Sequence, residues 1–164
     1  MPNAVTHVLI AIILIDFFRD YVLKKKFFPL YLVLIGGIAG ILPDIDVLLI
    51  WLFELDVHRL YTHSLIIPLG LLLVGLLFLF YKQKHYMVSK VFFVICAGWF
   101  IHILLDGLLN GTVIPFWPLS SFEFGLNLLP GTLFSGTLYA GIDAILLVVW
   151  FVHEYFRHNI RDYI

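Results

Sequence analysis

Seven side chains of the types that bind metal ions are the residues of this sequence most able to do chemistry. They are four histidines and three aspartates in four segments of an otherwise apolar chain: His7, Asp44, Asp46, His58, His63, His102 and Asp106. Imidazole and carboxylate groups without thiolates suit zinc, manganese or iron, and the share of oxygen ligands also admits magnesium. These residue types therefore predict a site for a divalent metal and leave its identity open.

The number of candidates predicts one or two ions per chain, because one catalytic ion needs only three or four protein ligands. Two ions about 4 Å apart, bridged by an aspartate and a water, would use the set economically and would activate water for attack at phosphorus or at a carbonyl carbon. We expect Asp46 and Asp106 to be catalytic. Arg59 is a third catalytic candidate, because a guanidinium beside such a centre could hold an anionic group such as a phosphate.

Each candidate segment also has a purely structural interpretation. His102 and Asp106 are four residues apart on one helix face, where they could bind one ion or only link two helices. Asp44 could cap the helix that follows it. His58 and His63 are five residues apart, and either could be an ordinary interfacial histidine, while Arg59 could extend its charge to the lipid headgroups. The metal interpretation depends on all the segments meeting at one place.

Other polar residues are weaker candidates. Asp143 could orient a metal ligand by contacting it on the side away from the metal. His153, Glu154 and His158 resemble a zinc-protease helix motif, but that motif needs histidines four apart and these are five apart. The long apolar segment 110–137 is predicted to form a lid or a re-entrant stretch.

Membrane helices are the elements that must position these residues. Of 164 residues, 62% are hydrophobic and 13% are charged, and the mean hydropathy of +1.04 does not fit a water-exposed surface. A bilayer span needs about 20 apolar residues, and the uncharged runs give five: Ala4–Phe18, Phe27–Trp51 interrupted by Pro43 to Asp46, Ser64–Tyr81, Val91–Leu109 and Leu138–Val152. We predict one all-α domain over residues 1–164, an integral membrane bundle of about five hydrophobic helices with a metal site at one membrane face.

Charge and cysteine content exclude other classes. Ten Lys and Arg against eleven Asp and Glu give a net charge of -1, so no basic surface is expected for a nucleic acid. Cys96 is the single cysteine, which excludes a disulfide framework and a thiolate metal cluster. Gly36 and Gly40 are predicted to lie at a close helix contact.

The basic residues predict the orientation of the spans. Nine of the ten lie in segments 19–28, 82–90 and 157–161, which alternating spans place on one side. The positive-inside rule makes that side cytoplasmic, so we expect the N-terminus and all seven candidate ligands on the extracytoplasmic face. The first span has no Lys or Arg before Arg19 and no small-residue cleavage site, so we expect a retained helix. Because polar side chains are costly in lipid, we expect at least one of the residues His7 and Asp16 of this span to face protein.

Several motifs between His7 and Pro118 resemble a known family. They are Leu42-Pro43-Asp44-Ile45-Asp46, His58-Arg59 with Thr62-His63-Ser64-Leu65, and His102-x-x-Leu105-Asp106 followed by Gly111 and Pro115. The chain resembles the YdjM-like inner-membrane proteins, a family described as metal-dependent hydrolases. The resemblance implies an inner-membrane location and the seven histidines and aspartates above as the ligand set.

A more distant similarity connects the chain to the zinc-dependent phospholipase C and P1 nuclease group. These are all-helical enzymes that cleave phosphoesters with clustered zinc ions. Their later His-x-x-x-Glu pair is absent from this sequence, so the similarity implies no third metal.

Together these observations predict a multi-pass membrane hydrolase that uses a metal-activated water, with zinc as the expected metal. A phosphoester in a membrane lipid or a lipid-linked molecule is the expected substrate, and amide or carboxylic ester hydrolysis remains an alternative. A second hypothesis is a non-enzymatic metal-binding protein, or one that transports metal ions or protons. A transport path needs polar residues in the inner halves of the spans, where Asp16 is the one ionisable residue. A third is a scaffold protein without metal. The oligomeric state stays open.

Overall fold

A computed structural model describes residues 4–23, 28–53, 61–81, 86–109, 111–129 and 135–157, which form a bundle of α-helices. The helices are α1 (Ala4–Tyr21), α2 (Tyr31–Ala39), α3 (Ile45–Phe53), α4 (Ile66–Tyr81), α5 (Tyr86–Leu109) and α6 (Ser135–Arg157). A 3-10 turn, Leu42–Asp44, joins α2 to α3. Because α2 and α3 together correspond to the interrupted second span, these six helices account for the five predicted spans. The all-α prediction is confirmed.

Three helical segments in this part of the chain are long and apolar enough to cross a membrane: Tyr31–Phe53, Tyr86–Leu109 and Gly136–Arg157. Helix α4 is a shorter apolar helix of 16 residues. Its outer stripe consists of large apolar side chains, of which Leu69, Leu73 and Leu77 are each 59% exposed. A continuous apolar outer surface of this kind suits a hydrocarbon solvent and not water.

The core lies where α1, α2 and α5 meet. Ile12 and Ile15 of α1 pack with Leu32 and Val33 of α2 and with Val94 of α5. On α1 and α5 the residues of this core recur at three- and four-residue spacing, so one stripe of each helix faces the core. This three-helix core holds the ends of α1 and α5 that carry candidate metal ligands.

Three glycines let the core helices approach closely. A Cβ atom added at Gly98 of α5 would overlap the carbonyl oxygen of Gly36 on α2 and would lie 3.0 Å from the backbone nitrogen of Gly40. A Cβ atom at Gly40 would lie 3.1 Å from the carbonyl oxygen of His7 on α1. The predicted close contact at Gly36 and Gly40 is confirmed, and it draws α2 against both neighbours.

Pro43 ends α2 and leaves a backbone acceptor available. A helix carbonyl normally accepts from the N–H three or four residues ahead. For Gly40 the residue three ahead is Pro43, which has no N–H, and the N–H of Asp44 donates to Ile41 instead at 3.1 Å. The carbonyl of Gly40 is therefore open to a partner from outside the helix.

The segment after α5 folds back over the end of that helix. Val113 and Phe124 form an isolated antiparallel bridge, and the N–H of Leu126 donates to the carbonyl of Gly107 on α5 at 2.7 Å. The hydroxyl of Ser64 donates to the carbonyl of Trp117 at 2.7 Å. This segment thus covers the end of α5 and holds the stretch before α4, which agrees with the predicted lid.

Candidate metal centre

Four predicted ligands from three parts of the chain converge on one point. They are Asp44 from the 3-10 turn, His63 from the stretch before α4, and His102 and Asp106 from α5, and one ligand atom of each lies within 4.8 Å of the others. His63, His102 and Asp106 are fully buried, whereas the side chain of Asp44 is 22% exposed. The cluster is therefore enclosed by protein except at Asp44, which is its partly exposed member.

The distances within the cluster match the edges of a tetrahedron of metal ligands. The Nε2 atoms of His63 and His102 are 3.2 Å apart. Asp106 Oδ2 lies 3.3 Å from His63 Nε2 and 3.8 Å from His102 Nε2. Asp44 Oδ1 lies 3.7 Å from His63 Nε2 and 3.4 Å from His102 Nε2. Zinc bound tetrahedrally at about 2.0–2.1 Å requires ligand atoms about 3.3–3.4 Å apart, so this donor set fits one such ion.

The ring of His102 is oriented by the break in α2. Its Nδ1 atom lies 2.8 Å from the carbonyl oxygen of Gly40, the acceptor that Pro43 leaves open. A carbonyl can only accept, so Nδ1 carries the proton and donates it. The lone pair of a neutral His102 is then on Nε2, which faces the cluster, as a metal ligand requires.

The ring of His63 is oriented by a hydroxyl and a carboxylate. The hydroxyl of Thr62 donates to Asp46 Oδ2 at 3.0 Å, and the oxygen of this hydroxyl lies 3.0 Å from His63 Nδ1. Because Thr62 gives its one proton to Asp46, Nδ1 of His63 must donate to Thr62, and Nε2 is left to face the centre. Trp99 of α5 fixes this stretch by donating to the carbonyl of Thr62 at 2.8 Å.

His7 extends the cluster beyond the four donors. Its Nε2 atom lies 3.4 Å from Asp106 Oδ1, whereas the other oxygen of Asp106 faces His63. The ring of His7 stacks on that of His102 with centroids 4.0 Å apart. A carboxylate whose two oxygens face different imidazoles has the arrangement of a ligand that bridges two ions.

Electrostatics also favour a cation at this centre. Asp106 is fully buried, and burial of a carboxylate is costly unless positive charge compensates it. Burial lowers the pKa of His63, but hydrogen bonds to Asp106 and Asp44 and the negative charges of Asp106 and Asp46 outweigh that effect. The net pKa is raised above its ordinary value of 6.5. The surroundings of His63 therefore stabilise positive charge, whether a proton or a metal ion supplies it.

A family comparison agrees with this geometry. The family model described as "YdjM inner membrane protein" matches residues 1–161. The chain belongs to this family. A search of curated proteins and a search of solved structures each found no match. Membership in the YdjM family confirms the family named from the motifs and supports a location in the inner membrane.

The structure thus brings together five of the seven predicted ligands: His7, Asp44, His63, His102 and Asp106. Asp46 lies on the other side of His63, with its Oδ2 atom 3.7 Å from Nδ1. The predicted ligand His58 and the predicted catalytic residue Arg59 lie outside the described residues. The proposed supporting residue Asp143 accepts a hydrogen bond from Thr6, the neighbour of His7.

Sequence reasoning missed the roles of Gly40 and Thr62. The sequence pattern indicates Gly40 only for helix packing and Thr62 only as part of a motif. The position of Thr62 directly before a candidate ligand was the one available signal, since ligating histidines commonly donate their second nitrogen to an oxygen.

A second ionisable cluster lies at the far end of α1. Nδ1 of His153 lies 3.1 Å from Asp16 Oδ2, and His153, Asp16 and Asp20 could together hold an ion. Arg19 already lies 2.8 Å from Asp20 and 3.8 Å from Asp16, which supplies positive charge there. Both His7 and Asp16 of the first span are buried, as predicted for polar residues that face protein.

Proposed function

We propose that this protein is a membrane-embedded hydrolase that cleaves a phosphoester in a lipid or lipid-linked molecule at a centre of one or two divalent ions, with zinc first among them. The observation that carries the proposal is the near-tetrahedral set of donor atoms from Asp44, His63, His102 and Asp106, with distances of 3.2 to 3.8 Å for five of its edges. The absence of thiolates and the mixed nitrogen and oxygen donors suit zinc, and also suit manganese or iron.

Each residue of the centre has a distinct role in this proposal. Asp44, His63, His102 and Asp106 hold one ion, and His7 with the second oxygen of Asp106 contributes to another. A divalent ion bound there lowers the pKa of a water and stabilises the charge that develops on the substrate. Asp46 orients His63 through Thr62, and Arg59 holds the anionic group of the substrate.

Access to the centre supports a lipid substrate. Asp44 is the partly exposed member of the donor set, and Ile45 and Val47, which follow it in α3, are 49% and 48% exposed. The covering segment, residues 111–129 after α5, adds exposed apolar side chains, including Phe116 and Phe122. A substrate that reaches Asp44 therefore passes over apolar surface, as a phosphoester attached to an acyl or isoprenoid chain can do.

We further propose several membrane passes, with the metal centre on the extracytoplasmic side. Arg19 lies twelve residues after His7 on α1, and Lys90 lies twelve residues before His102 on α5, a separation of about 18 Å along each helix. The positive side chains thus lie at the end of the bundle opposite the metal centre, and the positive-inside rule assigns that end to the cytoplasm.

Elemental analysis of the detergent-purified protein tests the metal proposal. We expect at least one zinc, manganese or iron ion per chain, and loss of that metal in His63→Ala and in Asp106→Ala. His153→Ala, which alters the cluster at the other end of α1, is the matched control and should keep the metal. Wild-type protein without metal after reconstitution with each ion would overturn the proposal.

Hydrolysis is tested separately with phospholipid and with a chromogenic phosphodiester. Product release should require a divalent ion and should fall by at least about a hundredfold in both ligand variants. Full activity in both His63→Ala and Asp106→Ala would contradict the assignment of the centre.

Metal or proton transport is the second candidate function, and the cluster of Asp16, Asp20 and His153 favours it. Between that cluster and His7, however, α1 buries Ala11, Ile12 and Ile15, which offer no polar path. Metal flux into proteoliposomes that is abolished by Asp16→Asn would rank this function above hydrolysis.

A further inference from the structure

An apolar groove runs along the bundle below the metal centre, between α1, α4 and α5. Its volume is about 770 Å³, within the range of about 300–1,000 Å³ that ligand sites occupy. Ile15 and Phe18 of α1, Leu79 of α4 and Phe93 of α5 are among the residues that line it. At its rim Phe18 and Val22 are 51% and 61% exposed, so the groove is open to the side, where a membrane protein meets lipid.

Among the described residues that line the groove, the polar side chains all lie at one end of it. They are the amine of Lys90 and the hydroxyl of Tyr86, in the first turns of α5. The amine lies 4.3 Å above the centroid of the Tyr86 ring, and Lys90 is 9% exposed. At the opposite end the lining finishes at Ile101, next to His102. The groove is therefore an apolar channel with a positive charge at the end far from the metal centre.

The length of the groove matches one leaflet of a bilayer. Lys90 and Ile101 are eleven residues apart on α5, which corresponds to about 16 Å along the helix axis. The hydrocarbon core of a bilayer is about 30 Å thick, so one leaflet contributes about half of that. An acyl chain with its headgroup level with Lys90 would therefore fill the groove to its inner end.

We propose that this groove binds one anionic phospholipid of the leaflet opposite the metal centre. Its acyl chain lies along Phe18 and Phe93, and its phosphate pairs with the ammonium group of Lys90. A charged lysine at the edge of the hydrocarbon is stabilised by an anionic headgroup, and basic pockets between membrane helices are typical sites for such lipids. The headgroup end of this site, at Lys90, is about 18 Å from His102 along α5, and lipid binding there does not depend on the proposed hydrolase activity.

Lipid binding to delipidated, detergent-purified protein tests the proposal. Native mass spectrometry would count bound phosphatidylglycerol and, separately, zwitterionic phosphatidylcholine. We expect one tightly bound phosphatidylglycerol per chain and weaker binding of phosphatidylcholine. Lys90→Met keeps the length of the side chain and removes its charge, and it should weaken phosphatidylglycerol binding by at least about fivefold, the effect of one lysine at an anionic lipid surface.

Two further variants separate the groove from general attraction of anionic lipids. Arg157→Met removes an exposed cation from α6, outside the groove lining, and should leave phosphatidylglycerol binding unchanged. Ala97→Phe fills the groove and should weaken binding of both lipids. Equal loss in Lys90→Met and Arg157→Met, equal affinity of the wild type for the two lipids, or wild-type binding in a folded Ala97→Phe protein would each overturn the proposal.

A chelator distinguishes this site from the metal centre. Binding of phosphatidylglycerol should be unchanged when the protein is stripped of metal. Loss of binding on chelation would place the lipid at the metal centre and would refute a separate site, whereas the hydrolase proposal would be unaffected.

Discussion

Two imidazole rings of the centre are fixed through their Nδ1 atoms, and this brings their Nε2 atoms to within 3.2 Å of each other. Two neutral imidazoles whose lone pairs face each other repel unless a proton or a cation lies between them. The two orienting oxygens come from Gly40 and Thr62, neither of which is a metal ligand. At the scale of single residues, the geometry of the candidate centre thus depends on two oxygens that orient the imidazole rings from outside it.

The hydroxyl of Thr62 can be tested by two substitutions. Thr62→Val removes the acceptor for His63 Nδ1 and the donor to Asp46, so we expect metal affinity to fall about tenfold to a hundredfold. Thr62→Ser keeps the hydroxyl and should restore most of the affinity. Thr112→Val changes an exposed threonine and serves as the control. Equal metal affinity in Thr62→Val and wild type, measured by competition with a chelator, would show that the hydroxyl does not orient His63.

The raised pKa of His63 predicts how metal binding depends on pH. In the metal-free protein His63 keeps its proton to a pH above its ordinary value of 6.5, and a metal ion must displace that proton. Affinity should therefore fall as the pH falls through the raised pKa, by about tenfold per pH unit where one proton is displaced. Dissociation constants measured between about pH 6 and 8 check this. Metal affinity that stays constant down to the lowest pH of this range would contradict the prediction.

At the scale of elements, the centre is built at helix ends and breaks. His7 is in the first turn or two of α1, Asp44 ends the 3-10 turn, and His102 and Asp106 lie in the last two turns of α5. These points come together because α2 packs against α1 and α5 at glycines, which lets the backbones approach. The contact that orients His102 is a direct result, since the Gly40 carbonyl can be reached only when α2 and α5 are this close.

Gly98 is the position where this packing is most easily disturbed. Gly98→Ala would force its Cβ atom against Gly36 and Gly40, so we expect a loss of about 1–3 kcal/mol in stability and a lower metal content. Gly70→Ala is the matched control, because nothing lies within 4 Å of a Cβ atom there, and alanine suits a helix better than glycine. Thermal unfolding in detergent and elemental analysis would check both. Equal unfolding temperatures for the two variants would mean that α2 and α5 are not in close contact.

At the scale of the whole molecule, the two ends of the bundle differ in chemistry. One end carries the His and Asp centre, and the other carries Arg19, Lys90 and Arg157 together with the cluster around Asp16. Through the positive-inside rule, this polarity supports the proposed transmembrane orientation. An ion-binding centre and a lipid groove can then face opposite leaflets of the same membrane.

Single cysteines report this orientation. In a protein with Cys96→Ala, Phe122→Cys in the covering segment should react with a membrane-impermeant thiol reagent on intact cells. Gln83→Cys, in the basic stretch of sequence before α5, should not react. By the positive-inside rule, the basic residues near Gln83 predict a cytoplasmic position for that segment. Labelling of the second site and not the first would invert the proposed topology.

Much of this was accessible from the sequence because it depends on composition and spacing. Apolar runs predicted the helices, and the rarity of ionisable groups in such a chain singled out His7, Asp44, His63, His102 and Asp106, which do meet. Asp46 was not separated from the ligands, because the sequence does not reveal which side of the His63 ring a carboxylate occupies. That depends on a hydrogen bond between side chains sixteen residues apart.

The sequence by itself determined the all-helical fold and the residue types of the centre, since the solvation of apolar and charged groups decides both. Tertiary structure alone decided which nitrogen of each imidazole faces the centre, that Asp106 faces His7 and His63 with different oxygens, and that an apolar groove ends at Lys90. These features depend on distances of a few ångströms between residues far apart in the chain. Local spacing does not encode such distances; the close packing of α1, α2 and α5 does.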